Sequence, residues 1–142
     1  MKVRDIMTNH VVRIGAEEPV EVAARAFAHY NVGMLPVCGA DGRLRGVVTD
    51  RDLVTRCIAA ERSPEKTRVA DVMTVRVISA APDMEASAAA FLMGREQIRR
   101  LPVLNEGRLC GMVSIGDLAG REETSYDAAE ALGGICTNLS PK

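Results

Sequence analysis

The chain has 142 residues, 47% hydrophobic and 3% aromatic, enough for one compact domain or two small halves sharing a core, and too few for two independent domains. Its 18 basic and 19 acidic residues leave a net charge of −1, so no sequence-wide field draws in nucleic acid or an anionic membrane. The opening "MKVRDIMTNH" has no apolar h-region and no later stretch approaches the ~20 apolar residues of a membrane helix, so a cytoplasmic protein is expected, with neither nucleic acid nor membrane as partner.

In chain order, "VVRI" (Val11 to Ile14) is a β-branched run that predicts a short strand, and Glu18-Pro19 is a good helix entrance. Val22, Ala23, Ala26, Phe27 and Tyr30 recur at helical spacing as one apolar stripe. "MLPV" from Met34 predicts a strand whose Pro36 needs a place without a ladder donor. "GADGR" carries turn chemistry, "LRGVVT" predicts the returning strand, and "DRDLVTRCIAA" a helix with Leu53, Val54, Cys57 and Ile58 inward. The unit reads β-α-β-β-α.

The same unit is written twice. "VRDIMT" from Val3 returns as "VADVMT" from Val69, "MLPV" as "RLPV" from Arg100, and "DGRLRGVVTDRDL" as "EGRLCGMVSIGDL". Order and spacing hold, with one residue deleted where Cys38-Gly-Ala-Asp-Gly42 becomes Leu104-Asn-Glu-Gly107. The second copy predicts a strand at "RVIS", a helix through Ala88, Ala89, Phe91, Leu92 and Met93, a hairpin from "RLPVL" and "LCGMVS", and a helix at "IGDLAGR". The expected fold class is therefore α+β: repeat 1 over 1–59, a charged linker over 60–68, repeat 2 over 69–121, and a C-terminal helix and tail over 122–142. A three-stranded sheet with helices on one face leaves the other bare, so the two copies are expected to form one folding unit. In the tail, "TSYDAAEALGG" predicts a helix with Thr124 or Ser125 before it, Gly133-Gly134 after it, and Tyr126, Ala129 and Leu132 on its apolar side. Such a helix either covers the end of the core or makes a dimer contact.

Cys38, Cys57, Cys110 and Cys136 are widely spaced without a C-x-x-C pair, and His10 and His29 stand apart, so no metal site is expected. The apolar neighbours of Cys57 and Cys110 favour burial, while Cys38 before a turn and Cys136 in the tail are expected to be accessible. No Ser-His-Asp or Cys-His grouping is legible, so no catalytic residue is expected and the chain does not read as an enzyme.

The duplicated joint, "GVVTDRDL" from Gly46 and "GMVSIGDL" from Gly111, asks for more than a fold. Taken alone, Thr or Ser followed three residues later by Asp is close to a capping box. Yet a glycine three residues before each hydroxyl admits a close neighbour, and free N–H groups and a hydroxyl beside a carboxylate suit a phosphate and a ribose diol.

The paired Gly-x-x-Thr/Ser-x-x-Asp motifs, the Met7-Thr8 and Met73-Thr74 entrances and the two "LPV" strands resemble a tandem pair of CBS domains, named for cystathionine β-synthase, over essentially residues 1 to 121. The whole chain is similar to small stand-alone CBS proteins. The resemblance implies two units packed with pseudo-two-fold symmetry as a Bateman module, with clefts that bind AMP, ADP, ATP or an adenosyl compound such as S-adenosylmethionine as ligand, no cofactor being required. It implies Thr49 and Asp52 in one cleft, with Arg100 and Arg51 against phosphate and Thr74 and Ile78 from the second entrance. For Arg51, a solvated helix position is an equal alternative. The opposite cleft takes Ser114 and Asp117, with Thr8 and Val12. Because Ile115 and Gly116 stand where the first copy has Asp50 and Arg51, the Asp52 cleft is expected to favour the phosphorylated ligand.

A homodimer and an unidentified protein partner are further implications of the resemblance. The competing reading is a stress-associated structural dimer with degenerate clefts, acting through cysteine redox or metal chemistry.

Overall fold

A computed structural model describes residues 1–137; residues 138–142 of the expected tail lie outside the described residues. The elements follow the repeat: β1 (Ile14–Gly15), α1 (Val20–Tyr30), β2 (Met34–Cys38), β3 (Leu44–Thr49) and α2 (Asp50–Leu53), then α3 (Ala86–Glu96), β4 (Arg100–Asn105), β5 (Arg108–Ser114), α4 (Ile115–Ala119) and the appended α5 (Ser125–Cys136). The fold is α+β. Among the described residues no helix is long and apolar enough to cross a membrane.

The chain divides into two compact units: Val12–Val77, and Met1–Val11 together with the chain from Ile78 onward. Each unit therefore joins the body of one repeat to the entrance segment of the other. In the first, Val69 and Val72 are fully buried among Leu35, Val37, Val48 and Cys57. In the second, Val3 and Ile6 are buried among Met93, Leu101, Val103, Val113 and Leu118.

The hairpins form in the predicted places, β2 antiparallel to β3 with Pro36 opposite Val47, and β4 antiparallel to β5 with Pro102 opposite Met112. The one-residue deletion appears in the second turn, which closes on Glu106 and Gly107, both at positive φ (52° and 81°), as a tight two-residue hairpin requires. The leading strands are shorter than expected. "VVRI" contributes only Ile14 to β1, paired in parallel at Ile14–Val37 and Gly15–Cys38, and "RVIS" forms no strand, leaving a single parallel bridge from Ala80 to Val103. In both copies the parallel ladder stops where the next partner back is a proline, Pro36 or Pro102, which has no N–H to contribute.

The helix after the first joint also differs from expectation. It makes one α turn and continues as a π turn over Val54–Ile58, closed by the Ala59 N–H donating to the Val54 carbonyl at 2.8 Å. The widened turn keeps Leu53 and Cys57 inside but leaves Val54 and Ile58 exposed, at 57% and 58%. On α1, Tyr30 is likewise exposed, and on α3 so are Ala88 and Phe91, while Ala86, Ala89, Ala90 and Met93 are buried.

α5 runs through Gly133-Gly134 instead of stopping there, and its buried side is Ala128, Ala131 and Ile135; Tyr126, Ala129 and Leu132 face out. The reason is close packing on α3. A Cβ on Gly134 would lie 2.8 Å from the Gly94 carbonyl oxygen, so the small residues mark the contact face. Thr124 does not cap this helix; its buried hydroxyl donates to the Leu118 carbonyl at 2.6 Å. Cys38, expected to be accessible, is buried at the end of the central strand β2, and burial pushes its thiol pKa up despite the nearby Arg13. Cys57 is buried, Cys110 half-buried and Cys136 exposed.

Candidate functional site

Both joints fold as reciprocal caps. In the Val12–Val77 unit the Thr49 hydroxyl accepts from the Asp52 N–H at 3.1 Å, and Asp52 Oδ2 accepts from the Thr49 N–H at 3.0 Å. In the other unit Ser114 accepts from Asp117 at 3.2 Å and Asp117 Oδ2 accepts from Ser114 at 2.8 Å. The amides that the sequence offered to phosphate are thus partly occupied: those of Thr49 and Asp52 by the cap, and that of Arg51 by Asp50 Oδ1 at 2.8 Å.

The motif glycines serve the entrance segments. Thr74 and Val47 exchange two backbone bonds of 2.8 and 3.0 Å, and Thr8 and Met112 exchange two of the same lengths. A Cβ on Gly46 would stand 2.5 Å from the Thr74 carbonyl oxygen, and one on Gly111 would stand 2.6 Å from Met7 Sδ and 3.0 Å from the Thr8 carbonyl oxygen. Glycine at these points lets the Met-Thr entrance dock against the strand. That docking brings Thr74 to Asp52 and Thr8 to the Ser114 strand.

In tandem the pattern is decisive: the CBS-domain family model matches residues 3–58 and again 69–123. The chain belongs to the CBS-domain family. The CBS domain-containing protein YhcV of Bacillus subtilis (strain 168) is 37% identical over 138 residues, 97% of this chain and 94% of YhcV. The crystal structure of Hypoxic Response Protein I with two coordinated zinc ions superposes with a TM-score of 0.78 at 32% identity, covering 85% of this chain and 98% of that one. The CBS domain pair of protein MJ0100, in complex with 5′-methylthioadenosine and S-adenosyl-L-methionine, superposes with a TM-score of 0.72 at 25% identity, covering 84% and 98%.

The two CBS motifs are not equivalent. Asp52 is only 8% exposed; besides its cap, Oδ2 accepts from the Thr74 hydroxyl at 3.4 Å, and Oδ1 lies 3.9 Å from Arg56 Nε. Asp117 is half-exposed, and among the described residues its only side-chain partner is its own cap. Thr8, the counterpart of Thr74, makes no bond to it. Val12 is half-buried against the core of the Asp52 unit, and Ile78 against the core of the Asp117 unit. Arg51 is exposed on α2. Arg100 is exposed at the start of β4, opposite Ser114 in the register of its own unit.

Arg56 is the residue that sequence reasoning passed over. Its Nη1 donates to the Val72 and Met73 carbonyls at 3.3 and 3.0 Å while its Nε faces Asp52. The available signal was its i,i+4 spacing from Asp52, which on a helix places opposite charges together. Among the described residues no three His, Cys, Asp or Glu side chains converge as metal ligands.

Proposed function

We propose that this chain is a ligand-sensing regulatory module, acting in the cytoplasm, that binds an adenine nucleotide (AMP, ADP or ATP) or an adenosyl compound such as S-adenosylmethionine at its CBS motifs. The observation that carries this reading is the MJ0100 domain pair, which holds two adenosyl compounds and overlays 84% of this chain. A motif carboxylate held by its own backbone presents acceptor oxygens to a ribose diol, the chemistry common to all these ligands. Thr49, Asp52 and Thr74 would form one site and Ser114, Asp117 and Thr8 the other, with Arg100 and Arg51 as phosphate cations and Ile78 and Val12 against adenine. Occupancy would be read by a second copy or a protein partner.

Calorimetry of ligand-stripped protein with AMP, ADP, ATP and S-adenosylmethionine tests the proposal. Asp52→Ala is expected to weaken the tighter AMP site by at least tenfold and Asp117→Ala to affect only a weaker one. Arg100→Ala should weaken AMP more than S-adenosylmethionine. If none of the four binds, the reading fails. Zinc uptake in that case would favour the metal chemistry named for Hypoxic Response Protein I.

A further inference from the structure

We propose that Arg56 is a positioning residue of the Asp52 site, one that ties the motif carboxylate to the entrance segment and so makes the two CBS sites unequal. The inference rests on the adenosyl-binding reading above and concerns how one of its sites is built.

Three observations in the Val12–Val77 unit carry it. The guanidinium is anchored by two main-chain acceptors, the carbonyls of Val72 and Met73, the residues immediately before Thr74. The same guanidinium faces Asp52 Oδ1 at 3.9 Å, beyond hydrogen-bond range, so it holds the carboxylate by charge while leaving that oxygen's lone pairs available to a ribose hydroxyl. Arg56 also lies in the π turn, a local winding that recurs at functional positions because it redirects side chains out of α register. Asp52 and Thr74, 22 residues apart in sequence, meet directly through the Thr74 hydroxyl and Asp52 Oδ2 at 3.4 Å, and the same planar cation holds the carboxylate on one side and the backbone leading into Thr74 on the other.

The second copy supplies the contrast. Arg121 occupies the same place, four residues after its Asp, but α4 ends at Ala119 and the Arg121 side chain makes no hydrogen bond or ion pair among the described residues. Asp117 and Thr8 have no common tie. Preorganisation lowers the cost of ordering a site on binding, so the Asp52 site should be the more selective for the ribose diol.

The test uses the full chain with Asp117→Ala, so that only the Asp52 site is read, and compares AMP with 2′-deoxy-AMP by calorimetry. With Arg56 present AMP should bind roughly tenfold tighter than the deoxy analogue. In Arg56→Gln that preference should fall towards one, and in Arg56→Lys, which keeps the charge but has no second nitrogen to face Asp52 while the first holds the two carbonyls, it should be intermediate. Equal weakening of both nucleotides would assign Arg56 to general stability or to phosphate and overturn the proposal, as would an unchanged preference. A ligand-free measurement stands beside it: amide exchange at Thr74 and Val47 should quicken in Arg56→Gln, and unchanged protection overturns the tie. If the protein with Arg56 binds neither nucleotide while exchange quickens as expected, the adenosyl reading fails and the tie is structural only.

Discussion

At the scale of single residues, the joint "GVVTDRDL" is a helix cap and a candidate ligand contact at once, because one carboxylate has two oxygens. Oδ2 of Asp52 is engaged by the Thr49 amide and the Thr74 hydroxyl, and Oδ1 faces the Arg56 charge. The glycine that opens the motif is needed for the entrance segment, whose carbonyl approaches it too closely for a side chain. Gly46→Ala is therefore expected to destabilise the protein by roughly 1–3 kcal/mol in urea titration, since the obstructing atom is backbone. Gly111→Ala should cost less, because its nearest obstacle is the end of the flexible Met7 side chain.

At the scale of elements, both long first helices lack a side-chain cap and borrow backbone acceptors from the segment just ahead of the other repeat's entrance. The α1 amides of Val20 and Glu21 donate to the carbonyls of Thr67 and Pro64, and the α3 amide of Ala86 donates to the Met1 carbonyl. The 60–68 stretch is thus a capping element as well as a linker. α5 and α3 meet through glycine and alanine, where backbones come together. Gly134→Ala should push α5 off α3 and lower the thermal midpoint, whereas Gly133→Ala, with nothing within 4 Å of the added Cβ, should stabilise by about 0.5–1 kcal/mol through helix propensity. The pair of variants separates packing from propensity at adjacent positions.

At the scale of the molecule, exposed ion pairs pin both entrance segments. Lys2 reaches Glu85 at 2.7 Å, with the N-terminal amine at 3.5 Å, and Arg68 reaches Glu17 at 2.8 Å and Asp71 at 3.3 Å. The hydrogen bond from Lys2 holds the Glu85 carboxyl below its ordinary pKa, and that from Arg68 does the same for Asp71. A depressed folded-state pKa contributes stability above the unfolded-state value and loses it as pH falls through the folded one. The urea midpoint should accordingly be level from pH 7 to about 5 and decline below about 4, the carboxylate range. Added salt should flatten the decline, because the pairs are solvent-exposed and screened.

The repeat, the hairpins, the two caps and the family were legible in the sequence, because each is written in short-range chemistry: turn glycines, alternating apolar runs, and a hydroxyl three residues before an acid. Thr49 with Asp52 and Ser114 with Asp117 needed only local spacing. Which face of α5 is buried, where the parallel strands stop, and the burial of Cys38 were decided by neighbours distant in the chain, which local periodicity does not record. The same holds for Arg56, whose significance comes from carbonyls 16 and 17 residues away. The family resemblance already implied Thr74 with Asp52 and Thr8 with Asp117; tertiary structure decided how each Met-Thr entrance is held, by a pair of backbone bonds to a strand of the unit built from the other repeat. A strand edge binds whatever backbone can approach it, and the glycine that permits the approach does not name its partner.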